Sequence, residues 1–424
     1  MTSRIPGDLA AIRRQFPALN QIRKGRKAIF LDGPGGTQTP QVVIDAMVHY
    51  LQTCNANHGG VFATSHESDR ILELAHQSMA DFLNAPSANE IVFGANMTTL
   101  TFHLSRALAN AWKPGDEIVV TRLDHDANVS PWVLAARDAQ VRVHYVDVRI
   151  PDCTVDLEQF RTLITNRTRL VAVGCASNAV GTVNDVAAIG KIARAHGALI
   201  FLDAVHFGPH GPIDVQAWDC DFLACSAYKF FGPHVGVLWG RTPLLERLQP
   251  YKVRPATDSL PGRWMTGTQC HEGIAGTAAA VRYLAELAPA TDPQAGTPAF
   301  RARLRQAMQG IQRYEQGLVA KLLRGLADMP RYEVWGIRDL TRLDERAPTV
   351  GISFPGRNAV ELATFLAERS IYAWNGNMYA LNLSERLGLE SRGGFLRLGM
   401  VHYNTEAEVD ETLQVLADFL EQSA

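Results

Sequence analysis

The sequence predicts an α/β fold: a mainly parallel sheet flanked by helices, followed by a smaller α+β C-terminal domain. Three observations carry this. From about residue 28 to 240, short apolar runs alternate with amphipathic stretches, the rhythm of strand–helix–strand units. Several of those runs are apolar at every position, as strands buried on both faces must be. Beyond about residue 330 the pattern becomes a few strands set between helices.

The expected strands are, in order, Ala28–Leu31, Ile91–Phe93, Ile118–Val120, Val141–Val146, Leu170–Val173, Leu199–Leu202, Phe222–Cys225 and Val235–Trp239. Pro250 to Gly262 carries three prolines and reads as a loop running over the surface toward an active site or subunit boundary. His271 to Leu287 reads as helix, 288–298 as a turn-rich junction, and about Ala299 to Leu326 as a long helix entering the second domain. There, strands Tyr332–Trp335, Val350–Phe354 and Phe395–Leu398 alternate with helices near 358–368 and 405–422. The expected organisation is an arm over 1–27, a large domain over 28–290 and a small domain over 291–424.

At 424 residues the chain can bury a large core and should contain two domains. Lys and Arg total 41 against 43 Asp and Glu, a near-neutral balance that argues against nucleic acid or an anionic membrane as the main partner. Six scattered cysteines (54, 153, 175, 220, 225 and 270) lack CxxC spacing and read as reduced core thiols. The first residues lack an apolar run for secretion, and no window reaches the length of a membrane span. A cytoplasmic protein is expected.

Lys229 is the most informative residue. It ends the apolar run from Asp221 and precedes Phe230-Phe231. Desolvation there lowers the pKa of an amine and makes it a nucleophile for carbonyl groups. Asp203 ends the run Ala198-Leu-Ile-Phe-Leu-Asp, at the carboxyl end of a strand, where open α/β sheets bind ligands. A lysine for an aldehyde and an acid for a ring nitrogen together suit pyridoxal 5'-phosphate (PLP).

Other residues fit around that pair. His125 lies in the loop after strand Glu117–Thr121, where it either stacks on a cofactor ring or caps the helix that follows. The turn Phe93-Gly-Ala-Asn-Met-Thr-Thr leads into an amphipathic helix beginning near Met97, and helix-start amides suit a phosphate. Asn178, after strand Arg169–Val173, either bonds a ligand oxygen or shapes a turn.

Taken along the chain, these motifs resemble the class V aminotransferase branch of the fold-type I PLP enzymes, nearest the cysteine desulfurase and selenocysteine lyase group. The matching stretches are Leu31-Asp-Gly-Pro-Gly-Gly-Thr, Asp124-His-Asp-Ala-Asn-Val-Ser-Pro-Trp, Ser177-Asn-Ala-Val-Gly-Thr, Leu202-Asp-Ala-Val-His, the run from Ile213 through Lys229-Phe-Phe-Gly-Pro-His-Val-Gly, Thr266-Gly-Thr-Gln and Phe395-Leu-Arg-Leu-Gly-Met-Val-His-Tyr-Asn-Thr. The resemblance implies a sheet of the seven-stranded type in a fold-type I PLP-transferase. It implies that Lys229 is the Schiff-base lysine, Asp203 the partner of the pyridine nitrogen and His125 the stacking ring. It places His206 near the phenolic oxygen, and Thr98, Ser226, Tyr228 and the amides of Asn96 and Met97 at the phosphate. Thr268 would reach the phosphate of the other subunit of a homodimer, and Arg397, with Asn178, would hold the substrate carboxylate.

One departure bears on activity. Where desulfurases of this kind carry a nucleophilic cysteine, the segment Ile371-Tyr-Ala-Trp-Asn-Gly-Asn-Met-Tyr-Ala-Leu sets Tyr379, and Trp374 stands in place of a second arginine. A phenol does not accept sulfane sulfur as a thiolate does. Cys270 is expected as a packed thiol rather than a substitute nucleophile. The expectation is therefore an amino-acid C–S lyase working by β-elimination, or an aminotransferase; an epimerase, a desulfurase using another thiol and a non-catalytic PLP-binding protein are the alternatives. His206, His210 and His234 match no zinc spacing, and Trp112, Trp132 and Trp218 read as packing residues. Loops 54–66, 251–264 and 374–392 are expected to shape the substrate pocket.

Overall fold

The computed structural model describes residues 8–23, 25–288 and 299–422. Its principal strands are β1 (Ile29–Phe30), β2 (Ile91–Gly94), β3 (Glu117–Thr121), β4 (Arg142–Val146), β5 (Thr168–Gly174), β6 (Leu199–Asp203), β7 (Phe222–Ser226) and β8 (Gly236–Gly240). In the C-terminal part they are β9 (Glu333–Trp335), β10 (Thr349–Ser353), β11 (Ile371–Tyr372), β12 (Trp374–Gly376) and β13 (Phe395–Gly399). The main helices are α1 (Gln41–Thr53), α2 (Ala63–Leu83), α3 (Met97–Ala109), α4 (Ser130–Asp138), α5 (Val186–Ala195), α6 (His271–Glu286), α7 (Phe300–Ala327), α8 (Ala359–Glu368) and α9 (Glu406–Gln422).

Strands β2 to β8 form one seven-stranded sheet in the order β2-β8-β7-β6-β5-β3-β4. Only β8 runs against its neighbours; the other adjacent pairs are parallel. Alternation within each strand serves two cores. Ile118 and Val120 join Leu104 and Trp132 on one face, while Val119 joins Ile189 and Val171 on the other. Burial on both faces explains why these runs are apolar throughout.

The smaller sheet is antiparallel, in the order β9-β10-β13-β12. Helix α7 bridges the two regions, packing on α6 and on α9. The expected turn-rich junction lies outside the described residues from 289 to 298, as does the expected boundary between 290 and 291.

One expected strand goes elsewhere. Residues 28–31 do not enter the large sheet: β1 pairs in parallel with β11, and Gly399 N–H donates to the Leu31 carbonyl at 2.8 Å. Apolar patterning marks a segment as buried without naming its partner, and the Gly33–Gly35 turn that follows packs on β13, where a Cβ on Gly33 would meet the Gly399 carbonyl at 3.3 Å. The N-terminal arm is also packed down. Phe16 is fully buried, edge-on to Phe231, Tyr283 and Tyr403 at 5.9, 5.6 and 5.0 Å between ring centres. Among the described residues no helix is long and apolar enough to cross a membrane.

Candidate active site

A cavity of about 400 Å³ opens at the carboxyl ends of the large sheet's parallel strands, closed on its far side by β12 and β13. Each strand end contributes chemistry. Asp203 closes β6, Ser226 closes β7, and Lys229 sits on the single turn Ala227–Lys229 that follows. Asn178 follows β5, His125 follows β3, and the start of α3 follows β2. This is the position where such sheets bind ligands.

Lys229 is buried, its Nζ donating to the Pro34 carbonyl and lying 4.5 Å from the Tyr228 ring centre. Loss of hydration, reinforced by the Arg397 charge and opposed by Asp203, brings its pKa from 10.5 down to about 7. Asp203 moves the other way. Burial raises it to about 6, although its Oδ1 accepts from Val205 N–H at 2.8 Å and Lys229 favours the anion. Near neutral pH the pair therefore offers an ionised carboxylate and an amine that is about half unprotonated.

His125 caps the turn that follows it and packs on a tyrosine ring. Its Nδ1 accepts from Ala127 N–H at 3.0 Å, capping the turn Asp126–Asn128, and its ring stacks on Tyr379 at 5.4 Å and 16°. Burial and the nearby Lys229 and Arg397 charges lower its pKa to about 4, so it is a neutral, fixed plane. At the opposite end Asn96 caps α3, its Oδ1 accepting from Thr99 N–H at 2.8 Å, while Met97 and Thr98 line the cavity. Strand β8 runs close beneath: a Cβ on Gly236 would lie 2.3 Å from the Asn96 carbonyl carbon. Helix-start amides here form a site for an anion.

Arg397 is buried in the middle of β13, where it donates to the Asn178 carbonyl at 3.0 Å; burial lowers its pKa to about 10. Asn178 in turn donates from Nδ2 to the Met378 carbonyl at 2.8 Å. Three buried polar atoms of the lining residues have no partner among the described residues: Asn178 Oδ1, His206 Nε2 and Arg397 Nε. Buried polar groups are ordinarily satisfied, so unmet atoms on one cavity mark where a polar ligand is to be received. His206 is held neutral by burial, its ring edge-on to His210 at 5.1 Å. His234 lies apart from that pair, stacked on Tyr228 at 5.0 Å.

Thus Asn96, Met97, Thr98, His125, Asn178, Asp203, His206, Ser226, Tyr228, Lys229 and Arg397 come together. Thr268 does not. It lines a second cavity, of about 530 Å³, together with Cys270. Cys270 is exposed rather than packed, so the core-thiol expectation fails for this one cysteine; the other five are buried. It begins the turn before α6, where Gly273 leaves its sulfur room. No cysteine lines the first cavity.

Of the three expected pocket loops only 374–379 contributes. Residues 54–66 and 251–264 do not line the cavity; the former run into α2, and Tyr50 just before them bonds His271 at the start of α6 at 2.9 Å. Two carboxylates were not singled out in advance. Asp124 lines the cavity, accepts from Gly174 N–H at 2.6 Å and the Thr121 hydroxyl at 2.8 Å, and is pushed up to about 7 by burial and by Asp203. Asp32, beside Arg397, is raised to about 6 by burial. Both follow strand ends, the same signal that identified Asp203.

The Aminotransferase class-V family model matches residues 29–412. A probable cysteine desulfurase of Synechocystis sp. is 30% identical, covering 97% of this chain and 96% of its own. A cysteine desulfurase of Klebsiella pneumoniae is 32% identical, covering 94% and 95%. The apo structure of the cysteine desulfurase from Thermococcus onnurineus superposes over the full length of both chains with a TM-score of 0.86 at 27% identity. Fold, strand-end site and sequence agree along the chain: it belongs to the class-V aminotransferase family.

Proposed function

We propose that the chain is a PLP-dependent C–S lyase that eliminates sulfur from a cysteine-derived amino acid and releases it to solvent. The observation that carries this reading is the pairing of a half-neutral Lys229 with Asp203 in a cavity that contains no thiol. The unmet atoms of Asn178, His206 and Arg397 and the open start of α3 fit a phosphorylated ring with an adjacent carboxylate. Bound there, PLP would supply an electron sink for charge developing at the substrate's α-carbon.

The residues then divide the work. The amides of Met97 and Thr98, with Ser226 and Tyr228, would hold the phosphate at the start of α3. His125 would cover one ring face and Asp203 would keep the ring nitrogen protonated. His206 would face the phenolic oxygen. Arg397 would grip the substrate carboxylate with its planar fork. Lys229 Nζ, neutral in about half the molecules at pH 7, takes the α-proton. Accepting sulfur onto the protein needs a thiolate, and the cavity offers none, so direct departure is favoured. Thr268 lies on a separate cavity of the protomer, which fits a residue contributed to the second site of a homodimer.

The test is visible absorption on adding PLP to purified protein, followed by assays for pyruvate and for sulfide or thiol. Binding that vanishes in Lys229→Ala, with pyruvate formed from a cysteine derivative, is expected. Failure to take up PLP, or formation of a keto acid by amino-group transfer alone, would overturn the lyase reading. Sedimentation tests the dimer: a protein that stays monomeric at high concentration contradicts the role given to Thr268.

A further inference from the structure

We propose that the substrate is a cysteine thioether whose sulfur carries an apolar group, seated against Trp374 and Tyr379. This rests on the lyase reading above and adds the identity of the side chain. The placement follows from the small sheet. Trp374 on β12 is the cross-strand partner of Arg397 on β13, and directly paired residues project from the same face. A substrate held by that arginine at its α-carboxylate therefore lies beside the indole.

The indole abuts the Gly33–Gly35 turn: a Cβ on Gly35 would sit 2.3 Å from its Nε1. Even so it remains 54% exposed, and Tyr379 is 73% exposed. Two exposed aromatics at the mouth of one cavity, Tyr379 with one face on His125, form an apolar surface for a ligand. Their positions are built in. Met378 and Tyr379 both take left-handed backbone, φ +58° and +56°, which is costly without glycine. Three hydrogen bonds hold the segment there: Asn178 Nδ2 to the Met378 carbonyl at 2.8 Å, Asp126 N–H to the Tyr379 carbonyl at 2.7 Å, and Tyr379 N–H to Asn377 Oδ1 at 3.0 Å.

Charge argues the same way. The segment 374–379 carries no ionisable acid or base besides the tyrosine phenol. The charged groups of the cavity, Asp124, Asp203, Lys229 and Arg397, are all buried. A side chain ending in a carboxylate or ammonium would meet no opposite charge on this wall, only the amides of Asn375 and Asn377, and would give up water to sit against the rings. With no thiol lining the protomer's cavity, the sulfur is not passed to the protein, and a thioether's sulfur leaves with its substituent. Lys229 takes the α-proton, the Cβ–S bond breaks with its electron pair on sulfur, and the sulfur leaves as a thiol after protonation. Overall, one thioether and one water give one thiol, one pyruvate and one ammonium ion.

The test uses the PLP-loaded protein. Calorimetry compares phenylalanine, glutamate and lysine, with alanine as the control ligand, and pyruvate release compares S-benzylcysteine with S-carboxymethylcysteine. Phenylalanine is expected to bind roughly tenfold or more tighter than glutamate or lysine, and S-benzylcysteine to lead in kcat/KM by a similar factor. Trp374→Ala should shrink both preferences to about twofold, with alanine binding measured alongside as the reference, and Tyr379→Ala, tested separately, should shrink them as well. Glutamate or lysine binding as tightly as phenylalanine overturns the inference, as does a preference that survives both substitutions. Pyruvate without preference sinks this inference alone and leaves the lyase reading standing. Preference without pyruvate from either thioether sinks the lyase reading and the thioether assignment with it.

Discussion

Replacing Lys229 by methionine should stabilise the cofactor-free protein, and should do so only on the acid side of pH 10. The folded-state pKa of the amine is about 7 against an ordinary 10.5. Between those values the unfolded chain binds the extra proton and the folded chain does not, so stability rises with pH across that window. Below pH 7 the full penalty applies, about 5 kcal/mol at 1.36 kcal/mol per pH unit. At pH 7, where half the folded molecules have already shed the proton, it is about 4 kcal/mol, and by pH 10 it is about 1. Methionine matches the lysine stem in length and carries no charge, so Lys229→Met removes the penalty and keeps most of the packing. Urea or thermal unfolding of both proteins at pH 7 and pH 10 measures it. Packing differences are the same at both pH values, so the change in the gap isolates the amine. A gap that does not narrow by a few kcal/mol between pH 7 and 10 refutes the claim that burial depresses this lysine.

Three further substitutions probe other parts of the site and core. Asp203→Asn removes the charge that favours protonated Lys229 and the proposed partner of the ring nitrogen; turnover should fall about a hundredfold or more while PLP is still captured, as read by absorption. Gly236→Ala places a methyl 2.3 Å from the Asn96 backbone, so the start of α3 must shift; a PLP titration should show affinity down by about tenfold or more, and an unchanged titration would remove the phosphate role from that helix. Phe16→Ala empties a fully buried site among three aromatic rings and should cost about 3–5 kcal/mol in unfolding experiments.

Much of this was legible in the sequence because it follows from local rules. Six of the seven strands of the large sheet show themselves as runs with no polar position, since both faces are covered; the edge strand β4, with Arg142 and His144, is the exception. Lys229 and Asp203 were found because a polar residue ending such a run stands at a ligand-bearing edge. That rule applies equally to Asp32, directly after the run Ala28–Leu31, and to Asp124, three residues beyond its strand. What stayed hidden was pairing at a distance. Nothing in Ala28–Leu31 distinguishes a strand of the large sheet from a partner for Ile371–Tyr372, because the deciding hydrogen bonds come from the far end of the chain. The exposure of Cys270 is hidden for a similar reason: it lines a cavity with residues far off in sequence, among them His103, Val235 and Trp264. Trp374 is marked in the sequence as a departure from a resemblance and as part of an expected pocket loop, but its pairing with Arg397 needs the sheet register.

The two-residue ladder between Ile29–Phe30 and Ile371–Tyr372 has a mechanical meaning. It rivets residues 29–30 to residues 371–372, so the Gly33–Gly35 turn is fastened to the antiparallel sheet, while Thr37 just beyond it bonds Tyr228 and Phe231 beside the parallel one. Any rocking between the two sheets must carry the Pro34 oxygen, the Trp374 ring and the Arg397 fork as a single jaw, and would slide that oxygen along the amine it now faces. Grip on the substrate's acid end and the seating of the lysine head are thereby geared to one hinge.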